Sequence, residues 1–178
     1  LRLSLLSLSA APALAQTTWH VDASAVGPGT GSVSDPFPSI QTAIDQPATV
    51  DGDTVLVHPG TYTELVDLLD KELLLLSSSG PSVTTIDVAL QFSVEQSAIK
   101  IRGGQGPACR VEGFSLVGGE GTFVTEPVLG IQLFAGGGLF VVDSSPTIVN
   151  CILRDNEPSA GGGAFVVNGQ PLFEDCMF

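Results

Sequence analysis

Short apolar runs, each closed by glycine, asparagine, proline or serine, recur along most of the chain. Near the C-terminus the stretch that begins at Gly136 aligns without gaps on the stretch that begins at Gly161, an offset of 25 residues. A weaker copy that begins at Val111 precedes its equivalent at Ile148 by 37 residues. A period in this range, built of short apolar strands, predicts a solenoid with one turn of the coil per repeat.

Stacking of such coils in parallel would place each strand beside its equivalent one repeat later, at about 4.8 Å. The extra residues of the longer repeat predict a loop around residues 121–127, which would bulge from one corner of the coil. The side chains predicted to lie over one another are Phe140 and Phe165, Pro146 and Pro171, and Cys151 and Cys176.

The corners of the coils need backbone angles that most residues resist. Glycine reaches positive φ without a Cβ clash, which predicts corners at the triplets 136–138 and 161–163. Asn150 and its equivalent Asp175 are the next best residues for a left-handed corner. The residues to which the repeats assign structural roles are Gly137, Asn150, Cys151, Gly162 and Cys176.

The pattern upstream of the repeats predicts a cap for the first coil. Ile40, Ala43 and Ile44 have helical i, i+3, i+4 spacing and follow Ser39, a good N-cap residue. A short amphipathic helix over residues 39–45 would cover a parallel edge that otherwise invites aggregation. The other elements predicted here are an edge strand at 19–22, a turn-rich loop at 27–36, a turn at 51–53, and buried strands at 54–57, 65–68 and 72–76.

The first fifteen residues have the pattern of a secretory signal peptide. Arg2 precedes a short apolar run that ends in Ala13-Leu14-Ala15, which predicts cleavage after Ala15. We therefore expect the mature protein to be secreted or displayed at the cell surface. No later segment approaches the roughly 20 apolar residues of a membrane helix, so the sequence predicts no membrane span.

This interpretation divides the chain into a signal peptide at 1–15, an N-terminal strand, loop and capping helix at 16–53, and β-helix coils at 54–178. The last repeat stops before the polar corner that residues 154–156 supply one period earlier. Solenoids need polar terminal caps, so we expect the coils to be incomplete at the C-terminal end. Downstream coils or self-association would then cover that end.

The net charge of −13 and the six scattered basic residues argue against nucleic acid as a partner. The acidity favours solubility, and it leaves extracellular Ca²⁺ open as a cofactor. Three cysteines are too few for a complete disulfide framework. Stacked Cys151 and Cys176 would lie within the Cα distance of a disulfide, so a buried pair of thiols, which we favour, and a bond both stay open.

Several stretches resemble bacterial exported proteins of the pectin-lyase-like superfamily. The N-terminal part of these proteins is similar to residues 36–44, 51–64 and 84–87 of this chain. Their β-helix repeats are similar to its Gly-Gly-Gly, Ser-Pro-Thr-Ile and Asn-Cys elements. The resemblance covers residues 19–178 and implies an all-β, right-handed parallel β-helix with a short N-terminal capping helix. It is specific for fold, because superfamily members include lyases, glycosidases, esterases, epimerases, tailspikes and noncatalytic surface proteins.

The sequence gives little support to any candidate catalytic residue. A polysaccharide lyase needs a cation or arginine to neutralise the uronate carboxylate and a base to take the C5 proton. The nearest set is Arg154 with Asp155 and Asp143, but Arg-Asp-Asn is also an ordinary solvated turn. An inverting glycosidase needs two carboxyl groups roughly 6.5–9.5 Å apart. Asp143 and Asp155 lie in adjacent parts of a coil, outside the paired-Asp motifs that the resemblance to glycosidases implies.

His20 and His58 each lack another histidine or a cysteine within a few residues, and a metal site needs convergent ligands. A structural role is therefore the prediction for His58, and the metal-binding residues stay unknown. Two functions remain. We favour a noncatalytic surface or carbohydrate-binding scaffold, with an extracellular polysaccharide as partner. The alternative is the N-terminal part of a polysaccharide lyase or glycoside hydrolase whose catalytic coils lie beyond residue 178.

Overall fold

The computed structural model describes residues 15–91, 93–125 and 130–178. The predicted signal peptide, apart from Ala15, falls outside these residues. The elements, in chain order, are β1 (Thr18–Val21), α1 (Ile40–Asp45), β2 (Thr54–Val57), β3 (Gly60–Tyr62), β4 (Val66–Asp67), β5 (Leu74–Ser77), β6 (Thr84–Asp87), β7 (Glu95–Gln96), β8 (Ile99–Ile101), β9 (Arg110–Glu112), β10 (Ser115–Val117), β11 (Gly121–Thr125), β12 (Gln132–Ala135), β13 (Leu139–Val142), β14 (Thr147–Val149), β15 (Ile152–Arg154), β16 (Ala164–Val167) and β17 (Leu172–Glu174).

Three parallel sheets form the walls of a right-handed β-helix. The first sheet has the order β1-β2-β5-β9-β14-β17, the second has β3-β6-β10-β15, and the third has β4-β8-β13-β16. Each complete coil contributes one strand to each sheet, as β2, β3 and β4 do in the first coil. The predicted all-β fold of stacked coils is confirmed.

The sequence repeats set the register of the coils. Leu139–Val142 pairs with Ala164–Val167, so Phe140 lies over Phe165 with the ring planes 7° apart and the centroids separated by 6.1 Å. Ile148 pairs with Val111, in agreement with the longer offset. A parallel bridge joins Ile152 to Met177, which brings the preceding cysteines into register. The coils therefore stack as the repeats predict.

Two kinds of glycine shape the triplets at residues 136–138 and 161–163. Only the first glycine of each has positive φ, at 68° and 63° respectively. Gly137 is needed for a different reason, because a Cβ there would lie 2.5 Å from the carbonyl oxygen of Gly119. Close approach of the chain segments before β11 and after β12, rather than a left-handed corner, thus explains the middle of the first triplet.

Asn150 and Asp175 form left-handed corners, with φ of 47° and 52°. Gly113, at the same place one coil before Asn150, has φ of 82°. Glycine, asparagine and aspartate are the residues that tolerate this conformation best. One vertical row of the β-helix is therefore filled by these three residue types in successive coils.

The capping helix is present as predicted. Ser39 is its N-cap, and the Ser39 hydroxyl accepts a hydrogen bond from the amide of Thr42 at 3.1 Å. Ile40, Ala43 and Ile44 are fully buried and join the hydrophobic core of the coils. Because these residues share one face of the helix, α1 closes the N-terminal end of the core.

Glu64, in the connection between β3 and β4, fixes the start of the helix. Its carboxylate accepts hydrogen bonds from the Ser39 hydroxyl at 2.7 Å and from the amides of Ile40 and Gln41, each at 2.9 Å. These amides are among the donors that a helix leaves without partners at its N-terminus. The first coil therefore caps the helix, and the helix covers the first coil.

The prediction of a loop at residues 121–127 is wrong for residues 121–125, the part of this range that the structure describes. Gly121–Thr125 and Gln132–Ala135 form two antiparallel strands, and β7 pairs with the outer side of β11. Phe123 lies opposite Phe134, with the ring centroids 5.4 Å apart. The β-branched and aromatic residues of 122–125 favour a strand. The insertion is thus a β-hairpin.

The other predicted elements differ only at their ends. The strand expected at 65–68 is Val66–Asp67, that at 72–76 is Leu74–Ser77, and the edge strand is Thr18–Val21. Across the described ranges, no helix combines the length and the apolar character that a membrane-spanning segment requires.

Candidate functional site

The main cleft lies between the β11–β12 hairpin and the outer face of the third sheet. Leu139 and Val141 belong to the core, so the alternating residues Phe140 and Val142 face outward. The hairpin covers this face and leaves a space of about 490 Å³. The residues that line it are Val124, Thr125, Leu133, Phe140, Val142, Phe165 and Val167.

The floor of the cleft is aromatic and aliphatic. Phe140 and Phe165 stack with nearly parallel rings, and Val142 lies over Val167. Thr125 is the only lining residue with a hydroxyl among the residues that the structure describes. The volume falls within the range of about 300–1,000 Å³ that is usual for small-molecule pockets. The described lining residues are uncharged, so they suit an apolar group better than a charged one.

A network of four charged side chains adjoins the cleft. Lys100 is the equivalent of Phe140 one coil earlier, and Asp67 is its equivalent in the coil before that. The ammonium of Lys100 lies 2.6 Å from a carboxylate oxygen of Glu95 and 3.4 Å from one of Asp67. Arg102 pairs with the same two acids at 3.2 and 2.7 Å. The two positive and two negative charges therefore neutralise one another.

Glu95 lies on β7, which pairs with the hairpin, whereas Lys100 lies on β8 in the third sheet. The side chain of Lys100 is only 7% exposed. The hydrogen bond from Lys100, with further support from Arg102, holds the pKa of Glu95 below its usual value. This network therefore holds β7, the strand that pairs with β11 of the hairpin, against the third sheet.

The structure brings together only two of the three candidate catalytic residues. The guanidinium of Arg154 lies 2.5 Å from the carboxylate of Asp155, and both side chains are exposed at the end of β15 in the second sheet. Asp143 instead follows β13 in the third sheet. Asp143 and Asp155 have φ of 50° and 54°, so both acids form left-handed corners.

The cysteines differ in their surroundings, and all three are free thiols. Cys109 and Cys151 are buried, whereas Cys176 in the last coil is partly exposed. Burial raises the pKa of Cys109 to about 12. The neighbouring thiol of Cys151 lowers the pKa of Cys176 to about 6, and the interaction of the two thiols raises the pKa of Cys151.

The sequence analysis missed a contact between the two histidines. His20 and His58 are 38 positions apart, but the pairing of β1 with β2 brings Nδ1 of His20 within 3.2 Å of Nε2 of His58. Only the strand register reveals this contact. Within the ranges that the structure describes, no group of three or more His, Cys, Asp or Glu side chains is arranged to hold a metal ion.

A solved structure of a rhamnogalacturonan lyase is similar to this chain, with a TM-score of 0.55 and 14% sequence identity. The similarity covers 90% of this chain and 51% of the lyase chain. The chain has the pectin-lyase-like β-helix fold. At this identity the likeness concerns the fold, and the activity in the name belongs to the lyase.

A further similarity links this β-helix to a cell surface glycoprotein of Methanothermus fervidus. The two are 34% identical over 102 residues, which is 57% of this chain and 16% of the glycoprotein. The β-helix thus spans about one sixth of the length of that relative and about half of the lyase chain. No family model matches the sequence.

Proposed function

We propose that this chain is an exported β-helix domain of a cell-surface protein and that the residues described here act as a noncatalytic scaffold. The similarity to a protein named cell surface glycoprotein supports the location, as does the signal-peptide pattern of residues 1–15. Stacked coils suit a scaffold because each coil contacts only its neighbours, so the fold extends in one direction.

The contacts that the lysine and arginine side chains make are the main support for a noncatalytic role. Besides the network of Lys100 and Arg102, Arg110 pairs with Glu112 at 2.7 Å and Arg154 pairs with Asp155. The ammonium of Lys71 donates to backbone carbonyl groups at the C-terminal end of α1. Every lysine and arginine in the described ranges is therefore engaged in a structural contact, whereas lyase chemistry needs a base that is free to take a proton.

Turnover assays test the noncatalytic part of the proposal. We expect no release of unsaturated sugar or reducing ends from pectin, polygalacturonate or alginate. Activity that Arg154→Ala abolishes and Arg110→Ala preserves would contradict the proposal. That result would favour the polysaccharide-degrading alternative and would make Arg154 a catalytic residue.

Carbohydrate is the ligand class that we propose for the cleft. The stacked rings of Phe140 and Phe165 support this choice, since sugar rings pack their C–H faces on aromatic side chains, and the cleft is large enough for a short oligosaccharide. Calorimetric titration with pectic oligosaccharides should show weak binding that Phe165→Ala reduces. Phe173→Ala is the control, because Phe173 lies on the next strand, β17, which belongs to the first sheet.

Equal losses of affinity in the two phenylalanine variants would contradict a site in the cleft and would point to a general effect on the last coil. Absence of binding to every oligosaccharide tested would remove carbohydrate from the proposal. The scaffold function would still stand, since it depends on the stacking of the coils.

The exposed face of the last coil is the proposed place of assembly. Leu172, Met177 and Phe178 are exposed there, next to the unpaired edges of β16 and β17. Such edges favour pairing with another strand. We expect residues 16–178 to self-associate in light-scattering measurements. A monomer at high concentration would contradict this part of the proposal.

A further inference from the structure

The two histidines lie on the outer face of the first sheet, close to its N-terminal edge. Val21 and Val57 pair with each other and point into the core. His20 precedes Val21 and His58 follows Val57, so both imidazoles extend to the other side of the sheet. They are diagonal neighbours on adjacent strands, and each side chain is partly exposed.

The distance between the two rings fits a shared cation. His20 Nδ1 lies 3.2 Å from His58 Nε2. Two zinc–nitrogen bonds of about 2.0–2.1 Å that meet at a tetrahedral angle would place their nitrogen atoms roughly 3.3–3.4 Å apart. The separation of the two nitrogen atoms is therefore close to the one that a shared ion requires, and rotation of the rings would direct both lone pairs to it. The rings also lie nearly parallel, with an interplanar angle of 24°.

The backbone around both histidines is held firmly. The His20 amide donates to the carbonyl of Gly31 at 2.8 Å, and the His20 carbonyl accepts from the amide of Phe37 at 2.9 Å. The His58 amide donates to the carbonyl of Val21, and its own carbonyl accepts from the hydroxyl of Tyr62, each at 2.8 Å. The fold therefore fixes the backbone from which both rings extend before any ligand arrives.

We propose that His20 Nδ1 and His58 Nε2 together bind one borderline divalent cation, of which Zn²⁺ is the type, and that water completes the coordination. Imidazole nitrogen is a preferred donor for Zn²⁺, Cu²⁺ and Ni²⁺. Without the cation, one ring donates its N–H to the other. Binding requires the tautomers with hydrogen on Nε2 of His20 and on Nδ1 of His58, which changes the position of a proton but not the charge of either ring.

Asp22 adds favourable charge to this site. Residue 22 follows the paired Val21 and lies opposite His58 on the same outer face. Its Oδ1 accepts hydrogen bonds from the amide and the hydroxyl of Ser24 at 2.8 and 2.7 Å. A carboxylate beside the pair attracts a cation, although the two imidazoles alone provide the proposed bonds.

A copper titration of tag-free protein tests the site. Trp19 is the only tryptophan and precedes His20, so bound Cu²⁺ should quench its fluorescence to a plateau at one ion per chain. We expect His20→Gln and His58→Gln each to weaken binding at least tenfold. Asp45→Asn, which alters an exposed carboxylate on α1, should bind like the parent protein. Cys176→Ser in every variant removes a competing thiol at the other end of the coils.

Proton resonances provide a second measurement on the unmodified protein. The chain has only two histidines, so each imidazole proton can be followed as Zn²⁺ is added. Saturable shifts of both rings at the same Zn²⁺ concentration are expected. The inference would be overturned by unshifted imidazole signals. Quenching that persists in both histidine variants would also overturn it, since the ion would then be bound by carboxylates.

Discussion

The two ends of the β-helix use the same kind of strand but bury it differently. Val141 in the third sheet is fully buried, whereas Val166, its register partner in the last coil, is 36% exposed. At the opposite end, Val55 and Val57 in the first coil are fully buried beneath α1. The difference lies in what covers each coil, because the strand sequences at residues 141 and 166 are equivalent.

This comparison indicates that the stability of a coil depends on its neighbours more than on its own sequence. A buried valine or isoleucine contributes about 1.5–3 kcal/mol relative to an exposed one. The same valine therefore contributes much less in the last coil than in the interior. Stability should fall along the axis from the capped end to the open end.

The largest difference should come from a matched pair of core truncations. Ile44→Ala removes buried methylene groups beneath the cap, so we expect it to lower the free energy of unfolding by about 2–5 kcal/mol. Val166→Ala in the open coil should cost less than about 1 kcal/mol. Urea denaturation measures both values. Equal costs would mean that the open end is covered in solution.

The next comparison is between a carboxylate that holds the capping helix α1 and an exposed carboxylate near the other end. Glu64→Ala removes the acceptor of three hydrogen bonds at the start of α1, and we expect a loss of about 1–3 kcal/mol. Glu157→Ala, at an exposed carboxylate near the other end, should change stability by less than about 0.5 kcal/mol. Thermal unfolding of the two variants gives the comparison. A neutral result for Glu64→Ala would show that α1 stays in place through packing alone.

A lysine on the open edge should act on association and leave stability almost unchanged. Leu172→Lys puts a charge on edge strand β17 at a side chain that is 53% exposed. Edge charges oppose strand pairing between chains, so light scattering should detect less self-association. Leu90→Lys is the control, because Leu90 is exposed in a connection outside the named strands. If both variants associate equally, the contact surface lies elsewhere.

Chemical labelling of the cysteine thiols should have the smallest effect on the fold. Cys176, whose pKa is lowered to about 6, is mainly a thiolate at pH 7, whereas Cys109, with a pKa raised to about 12, stays protonated and buried. Iodoacetamide should therefore label Cys176 first, with a rate that rises between pH 5 and 7. Cys151→Ala removes the thiol beside Cys176 and should move this rise to higher pH.

Thiol counting on denatured, unreduced protein belongs with this experiment. We expect three free thiols, since the structure has Cys109, Cys151 and Cys176 in the reduced form. One free thiol would mean that Cys151 and Cys176 are bonded between the last two coils. A labelling rate at Cys176 that does not change between pH 5 and 7 would contradict the lowered pKa of this thiol.

The sequence was sufficient for the repeated part of the fold. An offset of 25 residues placed Phe140 on Phe165, and the left-handed corner at Asn150 followed from the few residue types that tolerate positive φ. The capping helix was predictable because a good N-cap residue and helical spacing coincide at residues 39–45. Local rules and repetition point to the same structure in these regions.

The unrepeated parts could not be derived in this way. The hairpin of β11 and β12 occurs once, so no second copy revealed it, and strand propensity alone did not distinguish it from a loop. The network of Lys100 with Glu95 joins the third sheet to β7 through a contact that only the folded hairpin creates. The histidine contact depends in the same way on the register of β1 against β2.

The stacking of the coils also determines how the protein would respond to a pulling force. The hydrogen bonds between coils run along the axis of the β-helix, while the chain itself winds around it. Tension on a coil from its C-terminal side therefore loads its hydrogen bonds to the preceding coil and peels its strands away one after another. Each repeat of 25 residues would release roughly 80–90 Å of extended chain. Force applied from this side thus lengthens the molecule in steps of one coil, while the end closed by α1 stays folded.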